Sequence, residues 1–421
     1  MITGKTVKMI VLIVGMAQVG FGPVEVEGVD WKEFRGPGAD GRIEVTGEYP
    51  VEWGPDKNLE WTAKIPGEGW SSPSLADGLI ILTTAVPEGD GYDLRAMALK
   101  EGSGEVVWER SIFGQPAGSP GIHKKNSHAS PTPIIDGDRI YVHFGHLGTA
   151  CLRLVDGSTI WKNQTIVYSP VHGNGGSPVL VDNRLIFSCD GASDPFVIGL
   201  DAGTGEEVWR TARSVSASRK FSFCTALVAE IGGRRQVVLP GSDMVAGYDP
   251  ATGDEIWKVE YKGYSVVPRP VYAGGLIFIS TGYDRASLLA INPEGQGNLG
   301  EQAIVWQSSR SIAKTPSFIV EDGLLYCLAD NGILTCFEAA SGESIYNERV
   351  GGNYSSSLLL LNGLLYCTSE EGVTSVIRPG RKFERIAEND LSERTLASLA
   401  VGNDGRILYR SQSHLHSIRL P

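Results

Sequence analysis

The stretch Asp201-Ala202-Gly203-Thr204-Gly205-Glu206-Glu207-Val208-Trp209 decides the fold, because copies of it return along most of the chain. The nearest copy is Asp249-Pro250-Ala251-Thr252-Gly253-Asp254-Glu255-Ile256-Trp257. Looser ones run from Lys100 to Trp108, from Asp156 to Trp161 and from Glu338 to Tyr346. In each, a small or apolar run ends near an acidic residue, a glycine reverses the backbone, and a β-branched residue beside an aromatic resumes the extended chain. Glycine supplies the positive φ of a tight hairpin, and Asp or Thr can hydrogen-bond the turn's own backbone. The unit is a strand, a turn and a second strand.

Counted from Trp61, the aromatic recurs at Trp108, Trp161, Trp209, Trp257, Trp306 and Tyr346, with gaps of 47, 53, 48, 48, 49 and 40 residues. Several short strands repeating at this period predict the blades of a β-propeller. Six of the nine tryptophans fall on this lattice point, so their first role is packing between blades.

The 421 residues follow a single period, which argues for one closed array rather than several domains. A formal net charge of −12 speaks against generic nucleic-acid binding. The six cysteines, Cys151, Cys189, Cys224, Cys327, Cys336 and Cys367, sit singly in apolar strands with no CxxC or CxxCH, which excludes a c-type haem and a zinc ribbon. If Asn331-Gly332 is a two-residue hairpin loop, Cys327 and Cys336 face each other across neighbouring strands. That leaves a disulfide and a pair of buried thiols both open.

Lys5 and Lys8 precede the apolar run Met9 to Ala17, too short to span a bilayer, so residues 1–22 read as a secretory signal peptide. No cysteine follows it to carry a lipid anchor, and no other run is long enough for a membrane helix, so the protein is expected to be exported, periplasmic or extracellular. Residues 23–56, with Trp31 and Phe34-Arg35-Gly36-Pro37-Gly38, lack strand alternation and read as an irregular segment packed on the body. Residues 57–421 form the propeller. The segment Asn58 to Lys64 resembles the outer strand of a blade whose other three strands lie at Leu396 to Val401, Arg406 to Arg410 and His414 to Leu420. Such a closure removes exposed edges. Eight Ser/Pro/Gly-rich openings, among them Ser71-Ser72-Pro73, Ser130-Pro131, Ser177-Pro178 and Thr315-Pro316-Ser317, predict eight four-stranded antiparallel blades. Small residues are needed there because the innermost strands converge on the axis.

The repeated TG-x-x-x-W element and the opening SSP resemble the pyrroloquinoline-quinone-type propeller repeat. That repeat is shared by quinoprotein dehydrogenases and by the propeller subunit of the bacterial outer-membrane β-barrel assembly machinery. Phe34-Arg35-Gly36-Pro37 and the stretch His123 to Pro133 are similar to exported propellers of planctomycete and verrucomicrobial bacteria. The resemblance covers nearly the whole chain after residue 30 and implies an all-β, eight-bladed, quinoprotein-like propeller. It does not license a function. The dehydrogenases hold their quinone with an adjacent Cys-Cys disulfide, a calcium or lanthanide bound by Glu, Asn and Asp, and a catalytic Asp. No two cysteines are adjacent here and those ligands match no position of this chain, so no cofactor is expected and pyrroloquinoline quinone is disfavoured. The assembly subunit normally carries a lipid anchor, which is absent from this reading.

The crossings between blades, taken as residues 62–72, 109–128, 162–176, 210–222, 258–270, 307–316, 347–356 and 387–398, carry a net +9 against the −12 of the whole. The candidate ligand-binding residues on them are His123, Lys124, Lys125, Asn126, His128, His172, Asn174, Arg219, Arg269, Lys314, Tyr354 and Arg394. Cations converging on a partly dehydrated funnel favour an anionic small molecule or an acidic glycan. Acids on the same face, including Asp190, Asp284, Asp330 and Glu370, are expected nearer the rim. His143-Phe144-Gly145-His146 offers two imidazoles, but strand-end histidines are commonly bonded to backbone, and no metal site is expected. GxSxG, P-loop and HExxH signatures are absent. The resulting expectation is an exported, non-enzymatic binding or scaffold propeller with a ligand or protein partner. The alternatives are a polysaccharide lyase or hydrolase using His128 or His172 with an Arg and Tyr354 at the axis, a quinone-dependent oxidoreductase, and an outer-membrane assembly scaffold.

Overall fold

A computed structural model describes residues 29–116 and 121–421. The expected signal peptide lies outside the described residues. Eight blades of four antiparallel strands follow one another along the chain, and a short parallel strand extends two of their sheets to five. The innermost strands of blades 1 to 8 are Ser74–Ala76, Ile134–Asp136, Val179–Val181, Leu227–Ile231, Val271–Ala273, Ile319–Glu321, Leu359–Leu361 and Ala400–Val401. Helical structure among the described residues is confined to the 3-10 turns Gly145–Leu147 and Glu301–Ala303. No helix there is long and apolar enough to cross a membrane.

The ring closes as the pattern predicts. Leu59–Lys64 pairs antiparallel with His414–Ile418 and sets Trp61 opposite Ser417, so the outer strand of blade 8 comes from the front of the chain and its other three from the tail. The innermost strand of that blade is shorter than expected, Ala400–Val401 rather than Leu396 to Val401, because Leu396 to Ser398 approach the axis without pairing along the sheet.

Each repeated turn has a specific partner. The Trp161 indole donates to the Ala202 carbonyl at 3.0 Å, Trp209 to Pro250 at 3.0 Å, Trp108 to Leu154 at 2.9 Å, Trp306 to Ala339 at 2.9 Å and Trp61 to Glu101 at 3.0 Å. The acceptor always belongs to the turn of the following blade. The motif glycine lies against the same ring: a Cβ on Gly205, which has φ +76°, would stand 2.4 Å from Trp161, and one on Gly253 2.3 Å from Trp209. The TG turn and the tryptophan are therefore two halves of one inter-blade contact. Trp257 departs from this pattern because blade 5 has no TG turn. Its indole turns to Gln236 Oε1 of its own blade at 2.7 Å, and Gly297–Asn298 adds a short parallel strand beside Trp257 and Lys258.

The segment after residue 29 is ordered by the axis and is not merely packed on the outside. The Trp31 carbonyl accepts from Leu75 and that of Lys32 from Ile135, so the segment meets the innermost strands of blades 1 and 2. Phe34 and Glu33 meet Arg269 of blade 5, Arg35 donates to the Phe318 carbonyl at 2.6 Å, and Arg42–Ile43 pairs in parallel with Leu360 and Leu361 of blade 7. The chain thereby stoppers the central channel.

The cysteine pair needs a correction. Cys327 lies opposite Thr335 and Cys336 opposite Tyr326, because the turn is longer than Asn331-Gly332. The register is thus offset by one residue, which points the two thiols to opposite faces of the sheet. All six cysteines are buried and free.

Candidate functional site

The site starts from one residue per blade, two positions before each innermost strand: Ser72, Thr132, Ser177, Thr225, Arg269, Ser317, Ser357 and Ser398. Seven are hydroxyl residues. The Ser72 amide donates to Thr132 Oγ1 at 3.0 Å, Thr132 to Ser177 Oγ at 2.9 Å and Ser177 to Thr225 Oγ1 at 2.9 Å. The Arg269 amide donates to Ser317 Oγ at 3.0 Å, Ser317 to Ser357 at 3.1 Å, Ser357 to Ser398 at 2.9 Å and Ser398 back to Ser72 at 3.2 Å. The hydroxyls supply acceptors to amides that face the axis and have no strand partner, which removes the cost of leaving them unpaired. Steric crowding alone would have been met by glycine or alanine; this belt accounts for the choice of Ser and Thr.

Arg269 breaks the belt. Its side chain is 1% exposed; Nε donates to the Ala226 carbonyl at 2.8 Å, one terminal nitrogen to the Phe34 carbonyl at 2.6 Å, and the other approaches Glu33 Oε2 at 3.1 Å. It ties the stopper to the belt.

Above the belt lies a cavity of about 630 Å³ with Phe34 at its floor. An arc of rings forms one wall: His123 meets His172 edge-on at 5.7 Å, His172 meets Phe221 at 5.4 Å, Phe221 meets Tyr264 at 5.6 Å and Tyr264 meets Tyr283 at 6.3 Å. Arg219 lies over the Tyr264 ring at 4.4 Å and Lys314 over Tyr283 at 4.8 Å, both within cation–π range. Trp70 and Phe223 complete the aromatic lining. Burial lowers the His123 imidazole below its usual range, and His172 and then Lys124 and Lys125 push it further down, so His123 enters the site neutral near pH 7.

Of the candidate residues, His123, Lys124, Lys125, Asn126, His172, Arg219 and Lys314 line this cavity. Asn126 is engaged internally, donating to the His172 carbonyl at 2.9 Å and accepting from Ser130 at 2.6 Å. Arg394 sits beside the lining, over Trp70 at 5.0 Å and bonded to the Lys124 carbonyl at 3.1 Å. The other four are not brought to the cavity lining. Arg269 is taken by the stopper. His128 packs at a tilt against Tyr92 with ring centroids 4.6 Å apart, Asn174 accepts from Tyr168 at 3.1 Å, and Tyr354 is 2% exposed with its hydroxyl pKa raised by burial.

The charge count also reads differently in three dimensions. Lys125 pairs with Glu370 at 2.6 Å and Arg219 faces Asp284 at 3.9 Å, while Arg213 forms a fully buried pair with Asp190 at 2.8 Å. Three of the acids expected at the rim thus meet the cations of the crossings. Lys124 and Lys314 make no ion pair among the described residues. Asp330, the one carboxylate of the lining among those residues, accepts from the Lys314 amide at 2.7 Å and from Thr315 Oγ1 at 2.7 Å.

Sequence reasoning placed the His123 and His172 end of the arc but missed its Phe221, Tyr264 and Tyr283 members and the floor. Trp70 and Phe223 stand at the same offset, two residues before Ser72 and Thr225, so the repeat marks those two. Phe221, Tyr264 and Tyr283 have no such regularity.

A quinoprotein-like, eight-bladed propeller with a sealed axial funnel is the class that this fold and site define. The family model described as Outer membrane protein assembly factor BamB matches residues 29–188 and 164–304, and the chain belongs to this family of pyrroloquinoline-quinone-type repeat propellers. A curated relative, the outer membrane protein assembly factor BamB of Burkholderia pseudomallei, is 25% identical over 237 residues. The match covers 53% of this chain and 54% of the relative, so the chain spans about half the length of the curated relative it matches. Among solved structures, BamB from Moraxella catarrhalis aligns over 86% of this chain and 98% of its own, with a TM-score of 0.57 and 13% identity. The quinohemoprotein alcohol dehydrogenase of Comamonas testosteroni aligns over 93% and 81%, with a TM-score of 0.67 and 11% identity. The computationally designed Ika8 protein aligns over 86% and 99%, with a TM-score of 0.61 and 9% identity. Likeness at these identities is a likeness of fold.

The ligand set by which quinoprotein dehydrogenases hold their quinone is not gathered in this cavity among the described residues. The six cysteines are buried singly, and Asp330 is the one carboxylate of the lining among the described residues, so no second acid stands beside it for an axial calcium.

Proposed function

We propose that the protein is an exported, non-enzymatic binding propeller whose axial funnel holds an anionic ligand with a flat face, an acidic sugar being the motivating example. The observation that carries this reading is the stoppered 630 Å³ cavity in which an aromatic arc is flanked by Lys124 and Lys314, neither paired to a carboxylate among the described residues. A ring face stacks on Tyr264 or Phe221, and a carboxylate or sulfate meets an ammonium in a partly dehydrated space. A lyase mechanism finds less support, because His128 and Tyr354 do not share the cavity with His172. Calorimetric titration with acidic and neutral oligosaccharides of equal length tests the reading. The expected result is binding of the acidic set alone, weakened at least tenfold in Lys314→Ala. Equal binding of both sets, or of neither, would overturn it.

A second reading, an assembly scaffold for outer-membrane proteins, is favoured by the family match and by the curated relative's name. It would draw on protein partners rather than a small ligand. Affinity capture from the exported fraction, followed by reconstitution with the purified partner, separates it from the first.

A further inference from the structure

A second constellation lies on the face that carries the funnel mouth, at the junction of blades 7 and 8. Glu393 belongs to the crossing that leaves blade 7, and His414 and His416 open the third strand of blade 8, where their spacing of two puts both imidazoles on one side. His414 Nδ1 is 2.7 Å from Glu393 Oε1, and His416 Nε2 is 3.3 Å from Glu393 Oε2. One donor atom from each of the three falls within 4.8 Å of the others. The other ring nitrogen of His416, Nδ1, faces Thr62 Oγ1 at 3.0 Å.

We propose that Glu393, His414 and His416 form a binding site for a divalent transition metal, with Zn²⁺ as the fitting ion. Two imidazoles, which are borderline donors, with one carboxylate make a set suited to zinc, which takes nitrogen at about 2.0–2.1 Å and carboxylate oxygen at about 2.0–2.2 Å. Donor atoms already gathered this closely need only small side-chain rotations to surround one ion. Thr62 provides the outer contact that such sites use to orient a histidine: with Nδ1–H donated to Thr62 Oγ1, the Nε2 lone pair points at the carboxylate. In that tautomer Nε2 and the carboxylate oxygen stand 3.3 Å apart as two acceptors, and a cation takes the place of the proton that the other tautomer would put between them. His416 is 7% exposed whereas His414 and Glu393 are 31% and 30% exposed, so the pocket is anchored at one side and open to entering ions at the other. Three protein ligands leave a fourth position for water or for Ser411 Oγ, which is 3.5 Å from His416 Nε2.

The location assigns the metal a role. Thr62 lies on the ring-closing strand and pairs with His416. The ion would therefore join the blade 7 crossing to the two strands that shut the ring, bracing the blade whose outer strand comes from the front of the chain.

The experiment is titration of the full-length, metal-stripped protein with ZnCl₂, followed by calorimetry and by thermal unfolding, with MgCl₂ and CaCl₂ as comparisons. One equivalent of Zn²⁺ should bind with a dissociation constant of micromolar or below and raise the midpoint temperature, since an ion that binds only the folded state stabilises it by mass action. Mg²⁺ and Ca²⁺ should not. Co²⁺ should give the visible absorption of a four- or five-coordinate nitrogen–oxygen site. Glu393→Gln and the half-exposed His414→Ala should each weaken Zn²⁺ binding at least tenfold, while His123→Ala combined with His172→Ala leaves it unchanged. Absence of Zn²⁺ binding to the wild type, or binding undiminished in the Glu393→Gln/His414→Ala double variant, would overturn the proposal.

Discussion

The two faces of the ring are built on opposite rules. On the face that carries the TG turns, five blades repeat one contact, a tryptophan indole on the next turn's carbonyl with a glycine beneath the ring. On the funnel face no two crossings are alike: one contributes His123 with Lys124, one His172, one Arg219 with Phe221, one Tyr264 and one Lys314. Repetition serves a contact made between neighbouring blades, whereas difference is tolerated where the sheet no longer dictates the side chain. The belt of hydroxyls marks the boundary between the two regimes, and Arg269 is the point at which a repeated position has been diverted to hold the stopper.

If that contrast is right, substitutions on the repeating face cost stability and those on the funnel face do not. The largest loss is expected for Gly205→Val, where a branched side chain at φ +76° would collide with Trp161. Overpacking and left-handed strain together make this about 3–5 kcal/mol, measurable as a fall in the denaturation midpoint in urea. Arg269→Ala should follow at about 3 kcal/mol, because it strands buried carbonyls of Ala226 and Phe34. The same urea titration checks it, and a loss below 1 kcal/mol would mean that the stopper holds without the arginine.

A third test uses pH. Burial pulls the His143 imidazole from 6.5 down to about 3, so it stays neutral in the folded state while the unfolded chain takes up a proton below about pH 6.5. The unfolded state then binds more protons, and stability falls as pH drops through that window, by about 2 kcal/mol at pH 5. Unfolding free energies of wild type and His143→Gln at pH 7 and pH 5 should differ in slope, with the variant flatter. The smallest effect on stability belongs to Lys314→Ala, within about 0.5 kcal/mol of wild type as for an unpaired surface charge. Its consequence is expected in ligand affinity alone, and a large loss of stability there would erase the distinction between the faces.

Much of the repeating half was legible in advance. The period, the tryptophan lattice, the eight openings and the closure by Leu59–Lys64 all follow from local patterns whose meaning is the same in every copy. The funnel was legible only in part. Lys124, Lys314 and His172 could be placed near the axis because they sit on crossings, yet Arg269 sits on a crossing too and is buried. Net charge on the crossings overstated the free cations, since Glu370 and Asp284 lie far from Lys125 and Arg219 in sequence and beside them in space. The conditional facing of Cys327 and Cys336 missed by one residue of turn length, and the two are buried free thiols, the second of the alternatives left open.

The amino-acid sequence by itself determined that this chain is an eight-bladed ring, because hairpin turns, strand alternation and inter-blade tryptophans are contacts between neighbours along a period. Only the tertiary structure decided that residues 29–43 cork the axis, that hydroxyls encircle it, and that Glu393 meets His414 and His416. Those contacts join segments whose separation in sequence carries no period, and their geometry is set by closure of the ring, which no single repeat encodes.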